Sequence, residues 1–246
     1  MGVKEGDSIQ AMSNKEDIGK CDRAETSMIR QTSPQYEDIC DINHLYKTFN
    51  QVRKVSHYKP PVQSFYWYQL RYSYLLSKDL RDGSYQPQET SSFVIRERGK
   101  IRDIKANTVK DRVVNATIDK YVLQPLTEPL LIHDNGASRK NFGTSHTRNR
   151  IEKHLHDAMF EFGPDATIAL FDISNYFGSI PVEQLLELYE NIIDDKDCYE
   201  ALKKQLVTHN PEERGVGIGS IISQNAGIFY LHKFDNYIKI VLSRKY

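Results

Sequence analysis

Residues 171–181 read FDISNYFGSIP. The apolar run ATIALF at 166–171 leads directly into the carboxylate Asp172, and two adjacent aromatics, Tyr176 and Phe177, precede a Gly178–Ser179 turn. Because the run is continuous rather than alternating, it predicts a strand buried on both faces. Pro181 falls in the first turn of a following helix whose apolar stripe is Val182, Leu185, Leu186 and Tyr189. A carboxylate at a strand end is carried by rigid backbone yet open to the mouth of a site, where it can hold a divalent cation. Mg²⁺ takes one or two protein carboxylates and fills its octahedron with phosphate oxygens and water. The carbonyl of Ile173 is available as a second ligand. The plainer reading is that Asp172 hydrogen-bonds the turn that follows it.

Outward from this stretch the pattern is α+β. Residues 1–33 are polar and charged, as in a disordered tail. Ile39, Ile42, Leu45, Tyr46 and Phe49 space a helix over 36–57, ended by Pro60–Pro61, and a Tyr-rich helical segment runs on to about Leu80. Within it FYWYQLRYSYLL, 65–76, is dense enough in aromatics to predict core packing; a platform for stacked bases is the alternative. SSFVIRERGKIRDIKA, 91–106, predicts a β-hairpin turning at Arg98–Gly99–Lys100. Thr108 caps a predicted helix with Val114, Ile118, Tyr121 and Val122 on one face, stopped by Pro125 and Pro129. The loop IHDNGASRKNFGTSH, 132–146, leads to a helix over 147–162 that carries Ile151, Leu155, Ala158 and Met159. A further helix fills 196–208, and GVGIGS at 215–220 enters a long one from about Ile221 to Leu242.

Composition narrows the functional class. A mean hydropathy of −0.59 and the absence of a long apolar run exclude a membrane span, and the N-terminus lacks a signal-peptide core. Cys21, Cys40 and Cys198 have no metal or disulfide spacing and read as free thiols of a cytoplasmic protein. Net charge is zero, yet Arg96–Arg112 holds seven basic residues against three acidic and Arg139–Lys153 five against one. Residues 183–200 reverse the balance with seven acids and one lysine, so a neutral chain can still present a basic face to a polyanion.

Four segments carry a family resemblance, in the same order as in that family. DISNYFGSI (172–180) resembles the first catalytic motif of reverse transcriptases, RNA-directed DNA polymerases. IRERGKIRDIKANTVKDRVVNATIDKYVLQPL and IHDNGASRKNFGTSH resemble the fingers and following loop of the bacterial enzymes of the group II intron lineage. GVGIGSIISQNAGIFYLHKFDNYIK resembles their next palm motif. The Ile218-Gly219-x-x-x-Ser223-Gln224 form is similar to that of diversity-generating retroelement enzymes and some related bacterial enzymes, where most reverse transcriptases have Gln-Gly-x-x-x-Ser-Pro.

The resemblance implies a right-hand polymerase fold of fingers and partial palm, with an N-terminal helical extension at 34–82, fingers at 83–165 and palm from 166 to 246. It implies that Asp172 and the Ile173 carbonyl help hold two Mg²⁺ ions. Phe177 would lie under the incoming sugar, and Arg96 and Arg102 would grip the triphosphate of a dNTP whose pocket includes Ile218, Gly219 and Gln224. Lys110, Arg112, Arg139 and Lys140 would contact phosphates of template RNA, primer or cDNA. A small basic accessory protein is an implied partner. The family's Tyr-x-Asp-Asp motif does not occur, so this chain is expected to be an N-terminal portion, inactive alone. The alternative is a non-catalytic RNA-binding or assembly module of the same fold. A metal hydrolase built on His154 and His156 is disfavoured, because positions two apart on a helix diverge by about 200°.

Overall fold

The computed structural model describes residues 33–97, 99–210 and 213–242; for Glu97 and Lys100 it describes the backbone only. The expected 1–33 tail thus lies outside the described residues except for Ser33. The first helical stretch is two helices, α1 (Tyr36–Cys40) and α2 (Ile42–Ser56). Asp41 breaks them by taking an extended conformation, and its carboxylate accepts the His44 N–H to cap α2. Pro60 and Pro61 begin a helix rather than ending one. They occupy the first turn of α3 (Pro60–Trp67), where their missing N–H groups fall among donors that have no intrahelical partner anyway. α4 (Gln69–Arg81) follows after a break at Tyr68.

The aromatic run of α3 and α4 corrects the expectation of core packing. Phe65 and Leu76 are buried, whereas Tyr66, Trp67, Tyr68, Leu70 and Tyr74 are exposed. Two short helices turn one stripe each onto the core, and this segment holds more rings than those stripes can bury.

β1 (Ser91–Glu97) and β2 (Lys100–Ala106) form the predicted antiparallel hairpin, with Ser91 opposite Ala106 and Glu97 opposite Lys100. The hydroxyl of Thr108 accepts the Asp111 N–H and caps α5 (Val109–Ile118). The buried Asp111 carboxylate in turn accepts the Tyr85 hydroxyl at 2.5 Å, and Gln205 donates to the same hydroxyl oxygen at 2.9 Å. Val114, Ile118 and Val122 are buried as their spacing predicts. Pro125 does not stop the helix. A π-helical turn, Asp119–Leu123, widens it just upstream, and α6 (Gln124–Thr127) carries the proline in its first turn before the 3₁₀ turn Glu128–Leu130.

α7 (Thr144–Phe162) buries no residue, so the predicted stripe of Ile151, Leu155 and Met159 faces outward. Gly163, at a φ of 65°, ends it. The predicted buried strand at 166–173 is another correction. These residues form neither strand nor helix and pair with no neighbour among the described residues, with Leu170 and Phe171 93% and 94% exposed. An apolar run becomes a buried strand only if neighbours pair its backbone and cover its faces. The one sheet among the described residues is the β1–β2 hairpin.

Next come a single turn, α8 (Tyr176–Ser179), and α9 (Val182–Glu190), which buries Val182, Leu185, Leu186 and Tyr189 as predicted. Asp195 caps α10 (Lys196–His209). The long final helix is divided at Leu231 into α11 (Ile221–Tyr230) and α12 (His232–Asn236), with a π turn at Tyr237–Val241. Its α11 part packs into the core through Ile222, Ala226 and Phe229, the last stacked on Tyr189. Among the described residues no helix is long and apolar enough to cross a membrane.

Candidate nucleic-acid and nucleotide site

Backbone hydrogen bonds join three of the sequence motifs. The carbonyl of Phe177 accepts the Val216 N–H at 2.9 Å and that of Ile180 accepts the Gly215 N–H at 2.8 Å. Pro181 and Arg214 form an antiparallel bridge beside them. Two glycines make this approach possible, since a Cβ on Gly215 would sit 3.3 Å from the Gly178 carbonyl oxygen. Asn175, left-handed at a φ of 49°, lays its side chain where a Cβ on Gly178 would go. One step further along, Lys105 of β2 donates its N–H to the Ile218 carbonyl at 3.0 Å. Gly219 packs directly on the Lys105 carbonyl. The hairpin, the glycine-rich segment and the turn after Asp172 are therefore stitched edge to edge.

Asp172 itself is exposed and makes no hydrogen bond or ion pair among the described residues. The plainer reading, a carboxylate bonded to its own turn, is not what forms. Nor is a metal cluster present: no group of three or more His, Cys, Asp or Glu side chains among the described residues could hold an ion. One carboxylate and the Ile173 carbonyl do not fit a pair of Mg²⁺ ions, which needs several anionic ligands. Phe177 is half-buried, its ring lying where a Cβ on Gly227 of α11 would come within 2.9 Å. Its neighbour Tyr176 donates to the Gly227 carbonyl at 2.5 Å and locks the pair against α11.

The remaining predicted residues separate into two clefts. Arg102 and Ile218 line one of about 650 Å³ together with Lys105, Asn175, Gly178 and Arg214. Arg96 does not join them. The register pairs Arg102 with Ile95 and Arg96 with Ile101, so the two arginines lie on opposite faces of the hairpin and cannot grip one triphosphate from the same side. Arg112, Lys140, Gly219 and Gln224 line a second cleft, also of about 650 Å³, between α2, α5 and the start of α11. Lys120 adds a cation there that sequence reasoning missed, because a lone lysine in an apolar helix pattern carries no signal. Burial pulls the Arg112 guanidinium below its usual range, and it donates to Ser56 at 3.1 Å. On the floor of this cleft the Asp119 carboxyl is pushed up to about 6 by burial, against the hydrogen bond it accepts from Gln124 at 2.7 Å.

Two of the basic candidates lie elsewhere. Lys110 is exposed and lines neither cleft. Arg139 turns inward, donating to the carbonyls of Ile132 and Asn135 and stacking 4.0 Å from the Phe142 ring. It acts as a strut of its own loop, and the same loop places Asp134 among Arg150, His154 and Lys239.

No protein-family description matches the chain, and no curated protein matches it. Among solved structures it is similar to a chain of a Cas6-RT-Cas1–Cas2 complex, at 16% identity and a TM-score of 0.52. The match covers 85% of this chain and 22% of that one, so the likeness extends over a fifth of the longer chain. What this shows is a reverse-transcriptase-like fold, the coarse form of the expectation drawn from the four motifs.

Proposed function

We propose that this chain is the fingers and part of the palm of an RNA-directed DNA polymerase, and that it seats a template–primer in the cleft between α2, α5 and α11. The observation that carries the reading is the convergence there of Arg112, Lys140, Gly219 and Gln224, drawn from three separate motifs into the lining of one cleft. Guanidinium and ammonium groups in that lining suit a phosphate backbone. The neighbouring cleft with Arg102, Lys105 and Arg214 suits the triphosphate of a dNTP. The Ile218–Gln224 form favours the diversity-generating type and, with it, a small basic accessory protein.

A second reading is a non-catalytic RNA-binding module, favoured by the lack of any group of three or more His, Cys, Asp or Glu side chains able to hold a metal ion among the described residues. Binding of a fluorescent RNA template–DNA primer, followed by anisotropy across a salt series, tests both. Arg112→Gln and Lys140→Gln should each weaken binding and lower the salt slope by about one. Extension of the primer with dNTPs supports the polymerase. Salt-dependent binding with no extension selects the module. Salt-independent or absent binding refutes both.

A further inference from the structure

The exposed aromatics of α2 to α4 sit in an unusual charge environment. Between residues 42 and 78 there are six Lys or Arg and no Asp or Glu. On this surface the Arg53 guanidinium lies 3.8 Å from the centre of the Tyr66 ring, and Tyr66 neighbours Trp67 at 6.1 Å with their planes 52° apart. Gln69 donates to the Tyr46 carbonyl of α2, so the α3–α4 junction is fixed against α2 rather than splayed from it. Trp67 is 78% exposed, and Tyr66 and Tyr68 beside it are exposed as well.

We propose that Arg53, Tyr66 and Trp67 form a stacking site for single-stranded nucleic acid, on the flank of α2 turned away from the template–primer cleft. Flat rings held on helices offer a face to any base, and a cation beside them neutralises the phosphate between bases. Because the Tyr66 and Trp67 planes are tilted, the two rings take different bases rather than sharing one. The cleft and the site flank the same helix: Gln51, Val52 and Val55 of α2 line the cleft wall, and Arg53 points about 150° away from them at 3.6 residues per turn. A strand leaving the cleft over the solvent face of α2 would meet Arg53 and then the two rings. The acid-free stretch favours a polyanion over a protein surface as the occupant, which would otherwise suit exposed rings equally well. The inference rests on the nucleic-acid reading of the cleft and adds a separate contact to it.

Trp67 is the chain's one tryptophan, so tryptophan emission, excited selectively over the 15 tyrosines, reports this position alone. Titration with a short single-stranded RNA should quench it, and the quenching should reverse with added salt. Trp67→Ala should weaken single-strand binding about five- to hundredfold, while Trp67→Phe, which keeps a ring, retains most of it. The side chain is exposed, so both variants should melt with the parent. A template–primer with a single-stranded overhang should feel Trp67→Ala, and a blunt one should not. Blunt duplex that binds through Arg112 while Trp67→Ala leaves single-strand affinity unchanged would overturn this site and spare the cleft. Fluorescence that shifts with protein concentration alone and no longer responds to RNA would mark a protein interface and overturn it as well. Failure of any nucleic acid to bind refutes both the site and the cleft.

Discussion

Gly219→Ala should loosen the joint between the hairpin and the glycine-rich segment. Gly219 has a φ of 125°, a region that side chains rarely enter, and a Cβ there would lie 2.6 Å from the Lys105 carbonyl oxygen and 3.2 Å from a methyl carbon of Ile104. Holding alanine in such a conformation costs about 1–3 kcal/mol. The carbonyl is backbone and cannot swing aside, so relief of the clash must separate β2 from residue 218. That sacrifices the hydrogen bond from Lys105 to Ile218, worth about 1 kcal/mol net. The sum is about 2–4 kcal/mol. Gly83→Ala provides the control: its φ is 68° and nothing lies within 4 Å of the added carbon, leaving strain of about 1–2 kcal/mol alone. Urea unfolding followed by circular dichroism gives both values, and hydrogen exchange at the Lys105 amide reports the joint directly. Gly219→Ala should exceed Gly83→Ala and raise exchange at Lys105. Equal losses, or a Lys105 amide protected as before, would show that the glycine-rich segment does not rest on the hairpin in this way.

Two carboxylates give pH signatures of opposite sign. Burial alone would raise the Asp134 carboxyl, but hydrogen bonds from Arg150, Lys239 and His154 hold it well below the ordinary carboxylate range. Its stabilisation is therefore present above the unfolded value of about 4 and is lost as pH falls toward the lower folded value. Asp134→Asn should cost about 1–2 kcal/mol in urea at neutral pH, a modest figure because Arg150 and Lys239 are partly exposed, and the variants should converge in acid. Asp119 behaves inversely. Burial raises its folded value to about 6, so the folded chain keeps a proton that the unfolded chain releases near pH 4, and stability falls as pH rises between the two. Asp119→Asn should abolish that decline and gain up to about 2–3 kcal/mol above pH 6; a slope unchanged by the substitution would contradict the assignment.

Local chemistry was legible in the sequence wherever a residue acts on its own neighbours. Thr108 capped its helix, the hairpin turned at Gly99, and the stripe of α9 went inward because its period and its burial are the same fact. Where the outcome depended on distant partners, the reading failed. ATIALF and the aromatic run of α3 and α4 look like core by composition, but burial is decided by what comes to cover them. Prolines misled for a related reason: Pro60 starts a helix and Pro125 is absorbed by a π turn, and both outcomes depend on the backbone hydrogen bonds around the ring. For the proposed site, Asp172 and Phe177 rest on the motif alone, and the joint grip by Arg96 and Arg102 was lost through register. A hairpin places neighbours in sequence on opposite faces, so two arginines six positions apart and on different strands share a face only in alternate registers.

The same stitching explains why the position of Asp172 depends on residues that never touch it. Upstream, 166–171 has no ladder bond among the described residues, so it cannot fix the carboxylate. Downstream, the chain is held at Phe177 and Ile180 by Val216 and Gly215. Those two residues are tied in turn, through Ile218, to Lys105 of the hairpin that carries Arg102. The distance between the carboxylate and the arginine is thus set through one chain of contacts, along which Gly215 meets Gly178 and both Gly217 and Gly219 meet Lys105. A nucleotide gripped by Arg102 would draw on β2, and through it on the turn after Asp172. In a polymerase of the kind proposed, geometry held to about 0.5 Å would need support of this kind from rigid neighbours. Loosening Gly219 should therefore weaken nucleotide binding at Arg102 and raise exchange at the Val216 amide together, two effects that a carboxylate positioned by its own strand would keep separate.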